Sequence, residues 1–323
     1  MMNVAVISSW HVHAHGYAND LNKMEDVNLV AVWDEDAETG AKWAADLGCR
    51  FEPDYDKLLA DPDLDGVCVV SPTNMHCELL VKAAEAGKHI FTEKVLAITN
   101  EEAEIIADAV RKSGKTFTIS FPHACGKNMQ FAKKLAESGE LGQITYARVR
   151  NAHNGVSAEW LPDSFFDPVQ CGGGAMMDLG AHPMYLIPWL MGAPTSVVSC
   201  FTQISGKAVE DNAVSVFAFA DGAIAVSETS FLAQNNPFQL ELCGTQGTLL
   251  IVDGDLRYSD METGSAWETP EEYPPEWKNP LAQWVGAVLR GEDNHMSLDA
   301  ALQLTRTMVG AYTSWKTGAK YDF

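Results

Sequence analysis

The chain has 323 residues, 46% of them hydrophobic, with 44 acidic against 22 basic side chains and a formal charge of −22. That length supports two cored domains, and a field of that sign repels phosphate backbones and anionic membranes, which excludes nucleic acid and membrane surfaces as expected partners. No apolar run approaches membrane-spanning length, the first strand leaves no room for a signal peptide, and seven cysteines form no CxxC pair, so a reduced, cytoplasmic protein is expected.

Residues 3–8 read as a buried parallel strand, but the turn after it departs from a glycine-rich pyrophosphate cradle. It holds Ser8, Ser9, Trp10 and the alternating His11, His13 and His15 before a single Gly16. A second strand, 28–34, ends on Asp34. An acid there either hydrogen-bonds the ribose of a dinucleotide, disfavouring a 2′-phosphate and hence NADP, or caps the next helix; both readings stay open. Strands at 66–71, 89–93 and 116–120 alternate with helices at 77–87 and 99–114, the latter opening on a Thr99–Glu102 capping box and closing on Gly114. Such alternation implies a doubly wound parallel sheet, in which ligands bind at the carboxyl ends of the strands. The turn Ser71, Pro72, Thr73, Asn74, the helix entered through His76, and the pair Glu93–Lys94 all fall at that edge.

Beyond residue 121 the texture changes. A helix at 128–138 is followed by strand-like runs at 144–152, 195–204, 211–220, 223–231, 238–244 and 247–253, with Asp-Gly turns at 221–222 and 253–254 marking hairpins. One helix is expected over 172–192 and another near 297–314, giving an α+β domain. Three glycines at 172–174 allow another backbone or a ligand to approach closely. Asp178 and His182, four apart, project from one face of a helix, a spacing that suits a general base with an orienting acid or two metal ligands. A core helix carrying a satisfied histidine is the plainer alternative, given Met176, Met177, Leu179, Tyr185 and Leu186.

Together these stretches carry a resemblance. "SPTNMHCELLVKAAEAGKHIFTEK" (71–94) is similar to the strand–turn–helix–strand that leads to a Glu-Lys-Pro motif, with Val95 in place of the proline. "GGGAMMDLGAHP" (172–183) resembles a Gly-Gly-Gly…Asp-x-Gly-x-His motif. "SGELGQITYARVR" (138–150), "ELCGTQGTLLI" (241–251) and the closing "AYTSWKTGAKYDF" fit as well. Nearly end to end, the chain resembles the glucose–fructose oxidoreductase, inositol dehydrogenase and rhizopine-catabolism (Gfo/Idh/MocA) family.

The resemblance implies an α/β Rossmann domain over 1–121 and an α+β domain over 122–323. The large open, mostly antiparallel sheet of the second is expected to form a homo-oligomer, dimer or tetramer, and its C-terminal helix to pack back on the first domain. Lys94, Asp178 and His182 become the catalytic set. His182 takes the hydroxyl proton of a sugar, polyol or sugar derivative as its hydride passes to NAD; Lys94 donates to the oxygen, and Asp178 positions one of the two. His123, Lys127, His153, Asn154 and Trp160 are the expected substrate contacts, each an ordinary loop residue on the plainer reading. The altered loop is read as a cofactor cradle in which Ser8, Ser9, Trp10 and His11 replace glycines. No metal is expected, because neither a cysteine nor a nearby aspartate completes the histidines. The rival readings are an NAD-dependent glycoside-cleaving enzyme that oxidises its sugar transiently, and a non-catalytic dinucleotide-binding regulator.

Overall fold

Strands form in the first 120 residues because their side chains pack on both faces: Val4–Ile7 and Val67–Val70 are fully buried. The computed structural model describes residues 1–323 apart from 237, 263 and 265. In chain order the elements are β1 (Met2–Ile7), α1 (Ala14–Lys23), β2 (Val27–Trp33), α2 (Ala37–Leu47), β3 (Arg50–Phe51), α3 (Tyr55–Leu59), β4 (Gly66–Val69), α4 (His76–Glu85), β5 (His89–Thr92), α5 (Asn100–Ser113) and β6 (Phe117–Ile119). The strands pair in parallel in the order β3-β2-β1-β4-β5-β6, the doubly wound sheet expected from the alternation. The capping box is present: the Glu102 amide donates to the Thr99 hydroxyl, which donates to the Glu102 carboxylate, and Gly114 closes α5 at φ 64°.

From residue 121 onward come α6 (Lys127–Ser138), β7 (Ile144–Ala152), α7 (Pro168–Cys171), α8 (Ala175–Asp178), α9 (Ala181–Met191), β8 (Ser196–Thr202), β9 (Asn212–Ala218), β10 (Ile224–Ser230), β11 (Gln239–Gly244), β12 (Thr248–Val252) and β13 (Asp255–Ser259). The strands make an eight-stranded sheet in which β7 and β10 run parallel and the other pairs antiparallel. Asp253 and Gly254 both take positive φ (52° and 84°), as a two-residue hairpin turn requires. The single helix read over 172–192 is corrected to two, α8 and α9. At the junction the Gly180 amide reaches back five residues to Ala175 and the His182 amide only three, to Leu179. Gly180 is pressed against Met176, where a Cβ would lie 2.5 Å from both its carbonyl oxygen and its sulfur.

The chain ends with α10 (Pro280–Arg290), α11 (Leu298–Thr317) and β14 (Tyr321–Asp322), β14 joining the edge of β8. Two compact units result, residues 1–120 with 278–302, and 121–277 with 303–323. The sequence predicts a second domain that includes 278–302 and no element over 278–296; α10 inserts Leu281, Trp284 and Val285 into the core of the first unit. Asn279 caps it, Pro280 opens it and Gly291 ends it in the left-handed region. Trp284 is fully buried 5.9 Å from Phe91, and its indole N–H meets no acceptor among the described residues.

Trp284 is therefore held by packing alone. Trp284→Ala should lower the unfolding free energy by about 3–5 kcal/mol in urea titrations. Trp284→Phe, which gives up an unsatisfied N–H along with some volume, should lose much less; equal losses would contradict this account.

Candidate active site

In the first unit, the loop after β1 is built without glycines by side-chain bonding. Ser8 is buried and takes a positive φ of 71°, a conformation usually left to glycine. Its amide donates to the Trp33 carbonyl at 2.7 Å, and its hydroxyl accepts the Trp10 amide at 3.1 Å. Asp34 is buried and engaged by the same loop: one carboxylate oxygen accepts the Ser9 amide (2.8 Å) and hydroxyl (2.6 Å), the other the Asp36 amide (2.9 Å). The capping alternative for Asp34 is overturned, because the N-cap of α2 is Asp36, which accepts the Thr39 amide.

The remaining loop residues converge on Glu93. The His11 amide donates to the Val70 carbonyl, and the His13 amide to His11 Nδ1 at 3.2 Å. His13 Nδ1 lies 2.9 Å from Glu93 Oε1, which also accepts a short hydrogen bond from Tyr17; Tyr17 in turn meets Ser120 Oγ at 2.8 Å. Glu93 Oε2 accepts the backbone amide of Lys94 at 3.0 Å. Burial alone would raise the Glu93 carboxyl. The charge of His11, the hydrogen bond from His13 and the charge of Lys94 outweigh it and hold the group well below the usual carboxylate range. Burial first, then the Glu93 charge, pushes the Tyr17 phenol well above its ordinary value. Lys94 is buried at the carboxyl end of β5, and its peptide bond to Val95 is cis.

On the turn after β4, Asn74 is exposed and Thr73 half-buried, whereas Ser71 is buried. His76, at the start of α4, acts as a clamp on the backbone around it. It is buried, and its ring nitrogens face the carbonyls of Val95 (2.9 Å), Leu96 (3.2 Å) and Ser71 (3.2 Å), with burial lowering its basicity.

In the second unit, His182 is buried with Nδ1 3.1 Å from the Tyr185 hydroxyl, and that hydroxyl also accepts the His123 amide at 3.1 Å. The His123 ring lies 4.4 Å from that of His182 and stacks on Phe238. His123 is thus beside His182. His153, Asn154 and Trp160 form their own cluster: Trp160 Nε1 donates to Asn154 Oδ1 at 3.1 Å, and the His153 and Trp160 rings are 4.6 Å apart. Lys127 lies over the Tyr273 ring and lines a cleft with Asn128, Asp253 and Arg257.

The segment carrying Asp178 and His182 is anchored by Glu210. One of its carboxylate oxygens accepts the amides of Gly174 (2.8 Å) and Met176 (3.1 Å) and the Tyr312 hydroxyl (2.6 Å), while its carbonyl accepts the Ala175 amide (2.9 Å). Burial raises the Glu210 carboxyl against these bonds. The glycines make room for this anchor: a Cβ on Gly174 would lie 2.2 Å from the Glu210 carbonyl oxygen, and one on Gly173 1.9 Å from the Tyr312 hydroxyl. Asn151 adds a bond to the Leu179 carbonyl. Burial, then the charge of Asp178, pushes Cys171 up to about 12, so that thiol is no nucleophile near neutral pH.

Sequence reasoning missed Tyr17, Ser120, Tyr185, Glu210 and Tyr312. Tyr17 stands four residues after His13, and Tyr185 three after His182, helical spacings that carried a signal. Glu210 and Tyr312 are remote in sequence and gave none.

Residues 2–121 match a family model described as an oxidoreductase family with an NAD-binding Rossmann fold, and 129–250 the GFO/IDH/MocA C-terminal domain. Among curated relatives, scyllo-inositol 2-dehydrogenase (NAD(+)) of Bacillus subtilis is 28% identical over 263 residues, 78% of this chain and 74% of that protein. D-glucoside 3-dehydrogenase of Escherichia coli is 28% identical over 266 residues, 75% of each. The crystal structure of GenD2 from gentamicin A biosynthesis, in complex with NAD, superposes with a TM-score of 0.83 at 27% identity, covering 100% of this chain and 96% of that one.

Removing the Glu210 carboxylate strands three donors. Glu210→Ala should cost about 2–4 kcal/mol of unfolding free energy, and Glu210→Gln, which keeps an acceptor oxygen, distinctly less. Thermal and urea unfolding of the two variants measures this, and a neutral Glu210→Ala would remove the anchor.

Proposed function

The chain belongs to the GFO/IDH/MocA oxidoreductase family, and from that premise we propose that it transfers a hydride reversibly between NAD and a secondary alcohol of a sugar, polyol or sugar derivative. The observation that carries this reading is His182, buried with Nδ1 3.1 Å from the Tyr185 hydroxyl and its ring 4.4 Å from that of His123; its imidazole would take the hydroxyl proton. The first unit fits the cofactor: β2 ends on a buried carboxylate, and the adjoining loop keeps a left-handed turn at Ser8 where a glycine usually stands. NAD supplies the hydride acceptor. Asp34, Ser8, Ser9, Trp10 and His11 would hold its adenosine and diphosphate end, with Thr73 and Asn74 on the turn after β4. Lys94, fixed through its own amide by Glu93, would donate to the substrate oxygen as negative charge develops there. Asp178 would position the lysine or the histidine. His123, against His182, is the favoured substrate contact from the second unit; His153, Asn154 and Trp160 would present a polar and aromatic rim.

The reading extends to assembly and compartment. On the outer face of the eight-stranded sheet, Val198, Val216 and Val226 lie in register across β8, β9 and β10, beside Arg148 and Arg150 paired to Glu228. Val198, Val214, Val216 and Ile224 are exposed, and an apolar stripe with both charge signs at its edge suits a second copy of this chain. No disulfide is recorded among the described residues, which agrees with a cytoplasmic location, and no described helix is long and apolar enough to cross a membrane.

Three measurements test these statements. NADH should bind at least about tenfold more tightly than NADPH in fluorescence titrations, roughly 1.4 kcal/mol, because of Asp34; tighter NADPH binding would remove that role. On a panel of polyols and sugars, Lys94→Ala and His182→Ala should each lower turnover by about 10²–10³, with NADH affinity changed far less. Glycoside cleavage without net NADH, or NAD binding without any turnover, would favour the two rival readings in turn. Light scattering should find an oligomer that Val216→Asp dissociates; a wild-type monomer would refute the sheet interface.

A further inference from the structure

We propose that His11, His13 and Glu93 form a binding site for a divalent transition-metal ion at the carboxyl edge of the parallel sheet. One ring nitrogen from each histidine and a carboxylate oxygen of Glu93 lie within 4.8 Å of one another. Donors about 2.1 Å from a tetrahedral ion stand roughly 3.4 Å apart, so small side-chain rotations close the set. His13 Nδ1 and Glu93 Oε1 lie 2.9 Å apart, and the two imidazole rings sit edge to face with centroids 4.7 Å apart.

The chemistry of the donors selects the ion. Two imidazoles with one carboxylate suit zinc, cobalt, nickel or iron(II), whereas magnesium and calcium prefer sets made of oxygen. The groups around the ligands orient them as outer partners do in metal centres. Tyr17, itself held by Ser120, donates to Glu93 Oε1, the Lys94 amide donates to Oε2, and the His13 amide donates to the His11 ring. His11 and Glu93 are buried, while the His13 side chain is half exposed and gives an ion a way in from solvent. Three protein ligands leave at least one coordination position for water or another oxygen donor.

The test uses the full chain, freed of metal with a chelator and titrated with Co²⁺ alone, with no dinucleotide present. Saturable binding of one ion per chain, with visible ligand-field absorption that Zn²⁺ abolishes and Mg²⁺ does not, is the expected result. His13→Ala should weaken binding by about 100-fold or more, and Glu93→Gln similarly. His15→Ala, whose ring packs on Trp43 outside the cluster, should leave it unchanged. The His13 side chain is half exposed, and without it Glu93 still accepts from Tyr17 and the Lys94 amide, so this replacement decides the matter even if Glu93→Gln unfolds. No saturable Co²⁺ binding by the wild type, or binding that survives His13→Ala, would overturn the proposal.

Discussion

A carboxylate taken out of water must be surrounded by donors, because an uncompensated buried charge costs several kcal/mol, roughly as much as a whole domain can spare. Each unit of this protein is organised by that requirement. Glu93 recruits Tyr17, His13 and the Lys94 amide, and so ties α1 and the loop after β1 to the end of β5. Glu210 recruits Gly174, Met176 and Tyr312, and so ties the entrance of α8 to α11. In both places the residues proposed to do chemistry are neighbours in sequence of the residues that satisfy the charge.

The loop after β1 shows how a rule can be broken while its geometry survives. Glycines in a dinucleotide turn give a left-handed residue and a close approach of the backbone. Here Ser8 takes the left-handed conformation and offsets its strain with bonds through both its amide and its hydroxyl, and Asp34 binds the next residue twice. The turn is held by side chains, and the imidazoles of His11 and His13 that follow gather at Glu93.

Much of this was legible in the sequence. Alternating apolar runs and helices placed the parallel sheet, and the capping box at Thr99 and the Asp253–Gly254 turn are local signals that act locally. The motif around Asp178 and His182 was legible as a motif but not as a shape. Its helical period hid the interruption at Gly180, which depends on the packing of Met176. His11 and His13 lacked a visible third ligand because Glu93 lies 80 residues beyond His13, brought close only by the sheet order. The sequence reading left α10 unassigned although Asn279, Pro280 and Gly291 announce a helix; that it packs into the first unit is a long-range fact no local pattern encodes.

The return of α10 has a consequence for biosynthesis. The first unit is discontinuous, and the slot beside Phe91 that Trp284 fills stays open until the whole intervening unit has left the ribosome. At about 5–20 residues per second, that is an interval of roughly ten to thirty seconds in which β1, β4 and β5 have an apolar face without its cover. The nascent nucleotide-binding half must wait for the half that follows it. Excised at residue 120 for transplantation into another protein, it would carry that uncovered face with it permanently.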